Sequence, residues 1–173
     1  LKNPLNAILN LSEDKTITYA ASTMNILVNN ILDINKFEEA KIHLKLETVY
    51  LKKIILDALR EVEYLKSGKN IEIIDEINSN ILVEVDFDVL KRIFINVLNN
   101  ALKFSHAGET ITLSDNLNNN PNTLIIRIKD EGDGIRPEHI NGIFNKFSDI
   151  SNGVKSGFRS TGLGLTFCKM AIE

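Results

Sequence analysis

Apolar positions at the start of the chain recur at helical steps. Leu1, Leu5, Ile8 and Leu9 share one face, with Pro4 in what reads as an early turn, where proline is tolerated. No capping residue precedes them, which predicts the tail of a longer helix. Ser12-Glu13-Asp14-Lys15 breaks the pattern. Met24, Leu27, Ile31 and Ile34 resume it in steps of three and four, with Asn29, Asn30 and Asp33 off the stripe. Two short helices bury little surface alone. They predict an intramolecular hairpin or, the preferred expectation, a four-helix bundle made by two chains.

The period then changes. Ile42, Leu44 and Leu46 alternate with His43, Lys45 and Glu47, a strand pattern with one solvated face. Leu51 to Leu65 reads as a helix with Ile55, Ala58, Leu59 and Val62 on one side, closed by Ser67-Gly68-Lys69-Asn70. Ile71 to Ile77 and Ile81 to Val85 read as strands around an Asn-Ser-Asn turn. Phe87 to Phe104 is a strong helix, with Leu90, Ile93, Phe94, Val97, Leu98 and Ala101 apolar. Thr110 to Leu113 and Leu124 to Ile128 read as strands, joined through a polar segment from Asn116 to Asn122. Thr161 to Glu173 reads as a last helix after a glycine turn. Helices and strands mix without the regular alternation of a doubly wound sheet. The fold class predicted is therefore α+β, with helices on one face of a mixed sheet. Two domains are expected, residues 1–40 and residues 41–173.

Composition narrows the function classes. The 173 residues suit one domain, or one with a smaller appendage. The formal net charge is −3, and neither the first 50 residues nor the rest is basic, so an electrostatic nucleic-acid binder is excluded. Hydrophobic residues at 43% and charged residues at 25% describe a folded chain. No apolar run approaches the roughly 18 residues of a membrane span, and no signal-peptide pattern occurs. Any membrane attachment is expected from parts outside this chain. Cys168 is the single cysteine, which excludes an internal disulfide and a multi-cysteine metal site and fits a reducing, cytoplasmic setting.

Three features carry chemistry. Asn96, Asn100 and Lys103 lie at i, i+4 and i+7 on the Phe87–Phe104 helix, and Arg92 extends their stripe. Carboxamide oxygens suit Mg²⁺ and an ammonium suits phosphate, although a solvated helix face has the same spacing. Asparagine is a poor helix former, so Asn96, Asn99 and Asn100 within five positions ask for a reason. Asp130-Glu131-Gly132-Asp133-Gly134-Ile135 follows a strand, where glycine admits close approach and an aspartate can accept from an amino group. The same string also suits a plain turn. Ser160-Thr161-Gly162-Leu163-Gly164-Leu165 opens the last helix, as an anion site or as an entry turn capped by Ser160 or Thr161. Seven of the nine glycines lie between Gly132 and Gly164. Lys146, Lys155 and Arg159 make the intervening stretch a candidate basic flap. His43, His106 and His139 lie far apart in sequence, and no His/Cys/carboxylate cluster suggests zinc. The phosphate-binding P-loop and the protein-kinase His-Arg-Asp loop are absent.

In this order the motifs resemble a bacterial sensor histidine kinase core. Asn96 to Ser105 looks like the N box, Asp130 to Ile135 like the first glycine box, Phe144-Asn145-Lys146-Phe147 like the F box, and Ser160 to Leu165 like the second glycine box. Leu1-Lys2-Asn3-Pro4-Leu5 looks like the residues just after the phosphorylated histidine. The resemblance implies dimerisation and phosphotransfer helices up to about Phe37, forming a homodimer. An ATP-binding α/β sandwich of the gyrase-type ATPase class would follow. It implies ATP and Mg²⁺ as ligands, with Asn100 on the metal, Asn96 in support and Lys103 on phosphate. Asp130 would meet the adenine amino group, and Gly132 and Gly134 would lie close to the base. Thr161, Gly162, Leu163 and Gly164 would present the phosphate-binding turn, and Phe144 and Phe147 would anchor the flap or pack in the core. Asn3 would orient water if the parent protein also dephosphorylates its partner, a response regulator receiver domain.

Some features depart from the family pattern. The phosphoacceptor histidine is expected two residues before Leu1 and its acidic neighbour just before Leu1. The link between the first two helices is short, Ser160 replaces the usual glycine, and the chain ends inside the last helix. A fragment of a longer kinase is the expectation. The rivals are an ATP-hydrolysing conformational switch of the gyrase or chaperone type and a non-catalytic nucleotide-binding dimerisation module. The switch carries a glutamate where this chain has Asn96, which cannot act as a base near neutral pH.

Overall fold

The computed structural model describes residues 14–39, 43–63, 69–117, 123–148 and 162–173. The helix expected from Leu1 to Leu9, with Asn3, lies outside these residues, as do Ser160, Thr161, Lys155 and Arg159. The described elements are α1 (Lys15–Glu38), β1 (Leu46–Tyr50), α2 (Leu51–Val62), β2 (Glu72–Asp75), β3 (Leu82–Asp86), α3 (Phe87–Phe104), β4 (Thr110–Leu117), β5 (Leu124–Lys129), α4 (Pro137–Ile140) and α5 (Gly164–Ile172). They fall into two compact units. One is His43–Glu138, and the other holds the described residues before His43 and from His139 onward.

The His43–Glu138 unit is the layered α+β structure expected. β4 lies between β2, to which it is parallel, and β5, to which it is antiparallel, so the sheet is mixed. β1 and β3 form a separate antiparallel pair running from Leu46↔Asp86 to Tyr50↔Leu82. The strands either side of the Asn78-Ser79-Asn80 turn therefore enter different sheets. Asn78 shapes that turn twice over: its side chain accepts from Asn80 N–H at 2.9 Å, and its own N–H donates to Asp115 at 2.7 Å. One apolar cluster joins the layers. Leu51, Ile54, Ile55, Ala58 and Val62 of α2 and Phe94, Leu98, Ala101 and Leu102 of α3 meet Ile111 and Leu113, alternate residues of β4. Lys91 donates to Glu61 at 2.8 Å, tying α3 to α2, and this bond raises the Lys91 pKa.

Asp86 explains where two elements begin. One carboxylate oxygen caps α3 by accepting Val89 N–H at 3.1 Å, and the other accepts Lys45 N–H at 2.9 Å. That second bond takes up the chain just before the ladder, so the strand expected from Ile42 starts instead at Leu46, and His43, Leu44 and Lys45 are outside it.

The other unit contains α1, whose entry is capped by Asp14 accepting Ile17 N–H at 3.3 Å. Ile34 is buried, whereas Ile17, Met24 and Ile31, spaced by seven, are 48%, 58% and 40% exposed. Asn30, placed off the apolar stripe by its polarity, is buried. Phe37 meets Phe167 of α5 edge to face with centroids 5.8 Å apart, and Glu38 pairs with Lys146. The last helix begins at Gly164 rather than Thr161, because Gly162 holds φ +62°, outside helical space. Its N-cap position is Leu163 with no side-chain cap, which corrects the Ser160 or Thr161 cap expected. Among the described residues no helix is long and apolar enough to cross a membrane.

Candidate functional site

α3 keeps its asparagines in unusual surroundings. Asn96 is 7% exposed, yet its Nδ2 finds no hydrogen-bond partner among the described residues. Oδ1 of Asn99 is likewise buried and unmatched. A buried polar group left without any partner costs about 1–3 kcal/mol, so each of these atoms calls for one, from water, another part of the chain or a ligand. Asn100 and Lys103 are half-buried on the stripe shared with Asn96, and the Lys103 ammonium lies 5.2 Å from the Phe104 ring centroid. Asn99 has no role in the sequence reading beyond its low helix propensity; its unmatched oxygen is what sets it beside the others. Carboxamides and an ammonium along one helix are groups whose chemistry suits a Mg²⁺-triphosphate. Among the described residues, no three His, Cys, Asp or Glu side chains converge to hold a metal.

The first glycine loop belongs to the same unit, and its three acidic side chains each face a defined neighbour. Asp130 Oδ1 accepts Gly132 N–H at 3.1 Å, leaving Oδ2 for an incoming donor. Glu131 accepts Thr110 N–H at 2.9 Å, securing the loop to the start of β4. Asp133 faces His106 Nε2 at 3.6 Å, while His106 Nδ1 lies 2.9 Å from Glu109. Gly132 has a structural reason of its own: a Cβ there would sit 2.5 Å from the Phe104 carbonyl oxygen at the end of α3. Gly134 instead holds φ +71° with open space around it. His106 thus links the turn after α3 to the glycine loop, a contact that sequence distance conceals.

Glu109 in this cluster titrates in a defined direction. The His106 backbone N–H, 2.7 Å from Oε2, holds its carboxyl below the ordinary glutamate value of 4.5; the His106 side chain adds to the effect and burial opposes it. A depressed folded value means stabilisation that is complete above the unfolded value and is lost as pH falls through the folded one. NMR titration should find the Glu109 carboxyl midpoint below 4.5, and His106→Ala should leave most of the depression, since its largest cause is main chain. A midpoint at or above 4.5 in the native protein would contradict this origin.

The second glycine box lies in the other unit. Gly162 O accepts Phe147 N–H at 3.1 Å, and a Cβ on Gly162 would lie 2.7 Å from Phe147 C and Ser148 N. Phe147 itself holds φ +59°, a strained conformation for a bulky residue. Leu163 is buried and its carbonyl accepts Phe167 N–H at 2.9 Å, and Gly164 is the first residue of α5. Thr166 Oγ1 donates to Phe144 O at 3.0 Å. Phe147 is 67% exposed and Phe144 is exposed too, so core packing does not account for the aromatic pair. Lys146, expected in a basic flap, is engaged by Glu38.

The layered α+β fold and its amide-bearing helix define the class, and sequence comparison gives the family. Residues 85–173 match the family described as histidine kinase-, DNA gyrase B-, and HSP90-like ATPase, and the chain belongs to it. Its relatives narrow this to a histidine kinase catalytic core. The sensor protein KdpD of Clostridium acetobutylicum is 29% identical over 149 residues, covering 85% of this chain and 16% of its own. The sensor histidine kinase WalK of Bacillus subtilis is 28% identical over 148 residues, covering 85% and 24%. The chain therefore spans a quarter or less of the length of these curated relatives. Full-length ShkA, solved with AMPPNP, shares the fold with a TM-score of 0.74 at 21% identity, over 97% of this chain and 37% of that one.

Proposed function

We propose that the parent protein transfers the γ-phosphoryl group of ATP to a histidine in the segment preceding Leu1, and then to an aspartate on a response regulator. The observation that carries this reading is the set of buried amide atoms of Asn96 and Asn99, unmatched among the described residues, beside Asn100 and Lys103. In this reading residues 1–40 form the dimerisation and phosphotransfer helices, and residues 41–173 the ATP-binding domain. The exposed seven-residue stripe of Ile17, Met24 and Ile31 would be the seam closed by a second copy in a four-helix bundle. Asn100 would hold Mg²⁺, with Asn96 and Asn99 supporting it, and Lys103 would contact phosphate. Mg²⁺, when bound, offsets charge on the triphosphate oxygens. Asp130 Oδ2 would accept from the adenine amino group, with Gly134 letting the loop turn beneath the base. The turn from Thr161 to Gly164 would present N–H groups to phosphate. Asn3 would orient water in dephosphorylation of the regulator. A cytoplasmic location follows from this chemistry.

Asn96 favours transfer over free hydrolysis, because an amide cannot take a proton from water near neutral pH. A form of the protein extended on both sides of these residues, incubated with γ-labelled Mg-ATP, should acquire label that is acid-labile and alkali-stable, as phosphohistidine is. Release of free phosphate with no protein-bound label would instead support the ATPase switch.

A further inference from the structure

Lys69 sits in the turn before β2, far in sequence from the residues it binds. Its ammonium donates to the carbonyl oxygens of Leu102 at 3.0 Å, Lys103 at 2.9 Å and Ser105 at 2.9 Å. All three of its protons are used, on the carbonyls that a helix C-terminus leaves without intrahelical partners. The positive charge also meets the negative end of the α3 dipole. Its own carbonyl accepts Gly108 N–H at 2.9 Å, so one residue grips both ends of the turn after α3.

Two of these carbonyls have a particular meaning. The Leu102 and Lys103 carbonyls belong to the two peptide groups on either side of the Lys103 Cα. Pinning both planes fixes φ and ψ at Lys103, and with them the direction in which its side chain leaves the helix. A last helical turn would otherwise fray. We infer that Lys69 is a positioning residue for Lys103, holding that ammonium in line for the phosphates of a bound nucleotide. The inference rests on the phosphate role of Lys103 proposed above.

The test is a double-mutant cycle on the full chain, read as Mg-ATP and adenosine affinity by titration calorimetry. Lys69→Met is expected to weaken ATP about tenfold and adenosine by less than about twofold, because adenosine has no phosphate for Lys103 to meet. The double variant with Lys103→Ala should bind ATP no more weakly than Lys103→Ala alone. Multiplying losses, or equal weakening of ATP and adenosine by Lys69→Met, would overturn the inference and leave a purely structural cap. Unchanged ATP affinity in Lys103→Ala alone would overturn the phosphate role and the inference with it. If Lys69→Met does not fold, Lys69→Arg carries the same cycle, since a planar guanidinium keeps the charge but cannot aim three donors at these carbonyls. A smaller ATP-selective loss then supports the inference, and an equal loss on both ligands overturns it.

Discussion

Asn100→Ala is expected to remove Mg²⁺-dependent ATP binding, with a loss on the order of 100-fold, or about 2.7 kcal/mol. The helix should survive, because alanine is the better helix former and Asn100 is only half-buried. Affinity for ATP in excess chelator should change little, since the contacts proposed for Lys103 and Asp130 do not run through the metal. Calorimetric titration with and without Mg²⁺ separates these cases. Unchanged affinity in the presence of Mg²⁺ would remove the metal assignment and leave the asparagine face without its chemistry. Asn99→Ala provides a graded comparison. It deletes an unmatched buried oxygen, so it should raise stability slightly while weakening the nucleotide less than Asn100→Ala does.

Gly132→Ala is the second large effect, and it acts through the fold. The new Cβ meets a backbone carbonyl rather than a flexible side chain, so either the end of α3 or the glycine loop must move. Overpacking of this kind costs about 1–3 kcal/mol. The moved loop carries Asp130, so ATP affinity should fall together with thermal stability. Gly134→Ala makes the contrast. Its Cβ meets nothing, and the left-handed φ alone sets a cost of about 1–2 kcal/mol. Calorimetric melting of both variants checks the order. A melting temperature for Gly132→Ala equal to that of the native protein would show that the loop has slack which the 2.5 Å approach denies.

The helix Phe87–Phe104 was legible in the sequence from end to end, because its apolar positions keep to one face throughout. The mixed α+β class followed from element order. The fate of the strands around Asn78 was not legible, since a short polar turn between apolar runs carries no sign of which sheet each strand joins. The start of the first strand was missed because Asp86, 41 residues away, decides it. The asparagine face could be picked out by composition, but which of its amide atoms are buried depends on tertiary packing that the local sequence does not carry. Lys69 looked like a punctuation residue after a helix. Its three partners appear only when the chain returns more than 30 residues later.

The separation of β2 and β3 into different sheets bears on the order in which this unit assembles. Among the described strands, only β4 and β5 are neighbours both in sequence and in a sheet. Every other strand pairing encloses at least one whole helix, so each must close a long loop before its hydrogen bonds repay the lost chain entropy. The β1–β3 ribbon thus has no means of nucleating on its own, and its order is inherited from the helical layer and from the meander of β4 and β5.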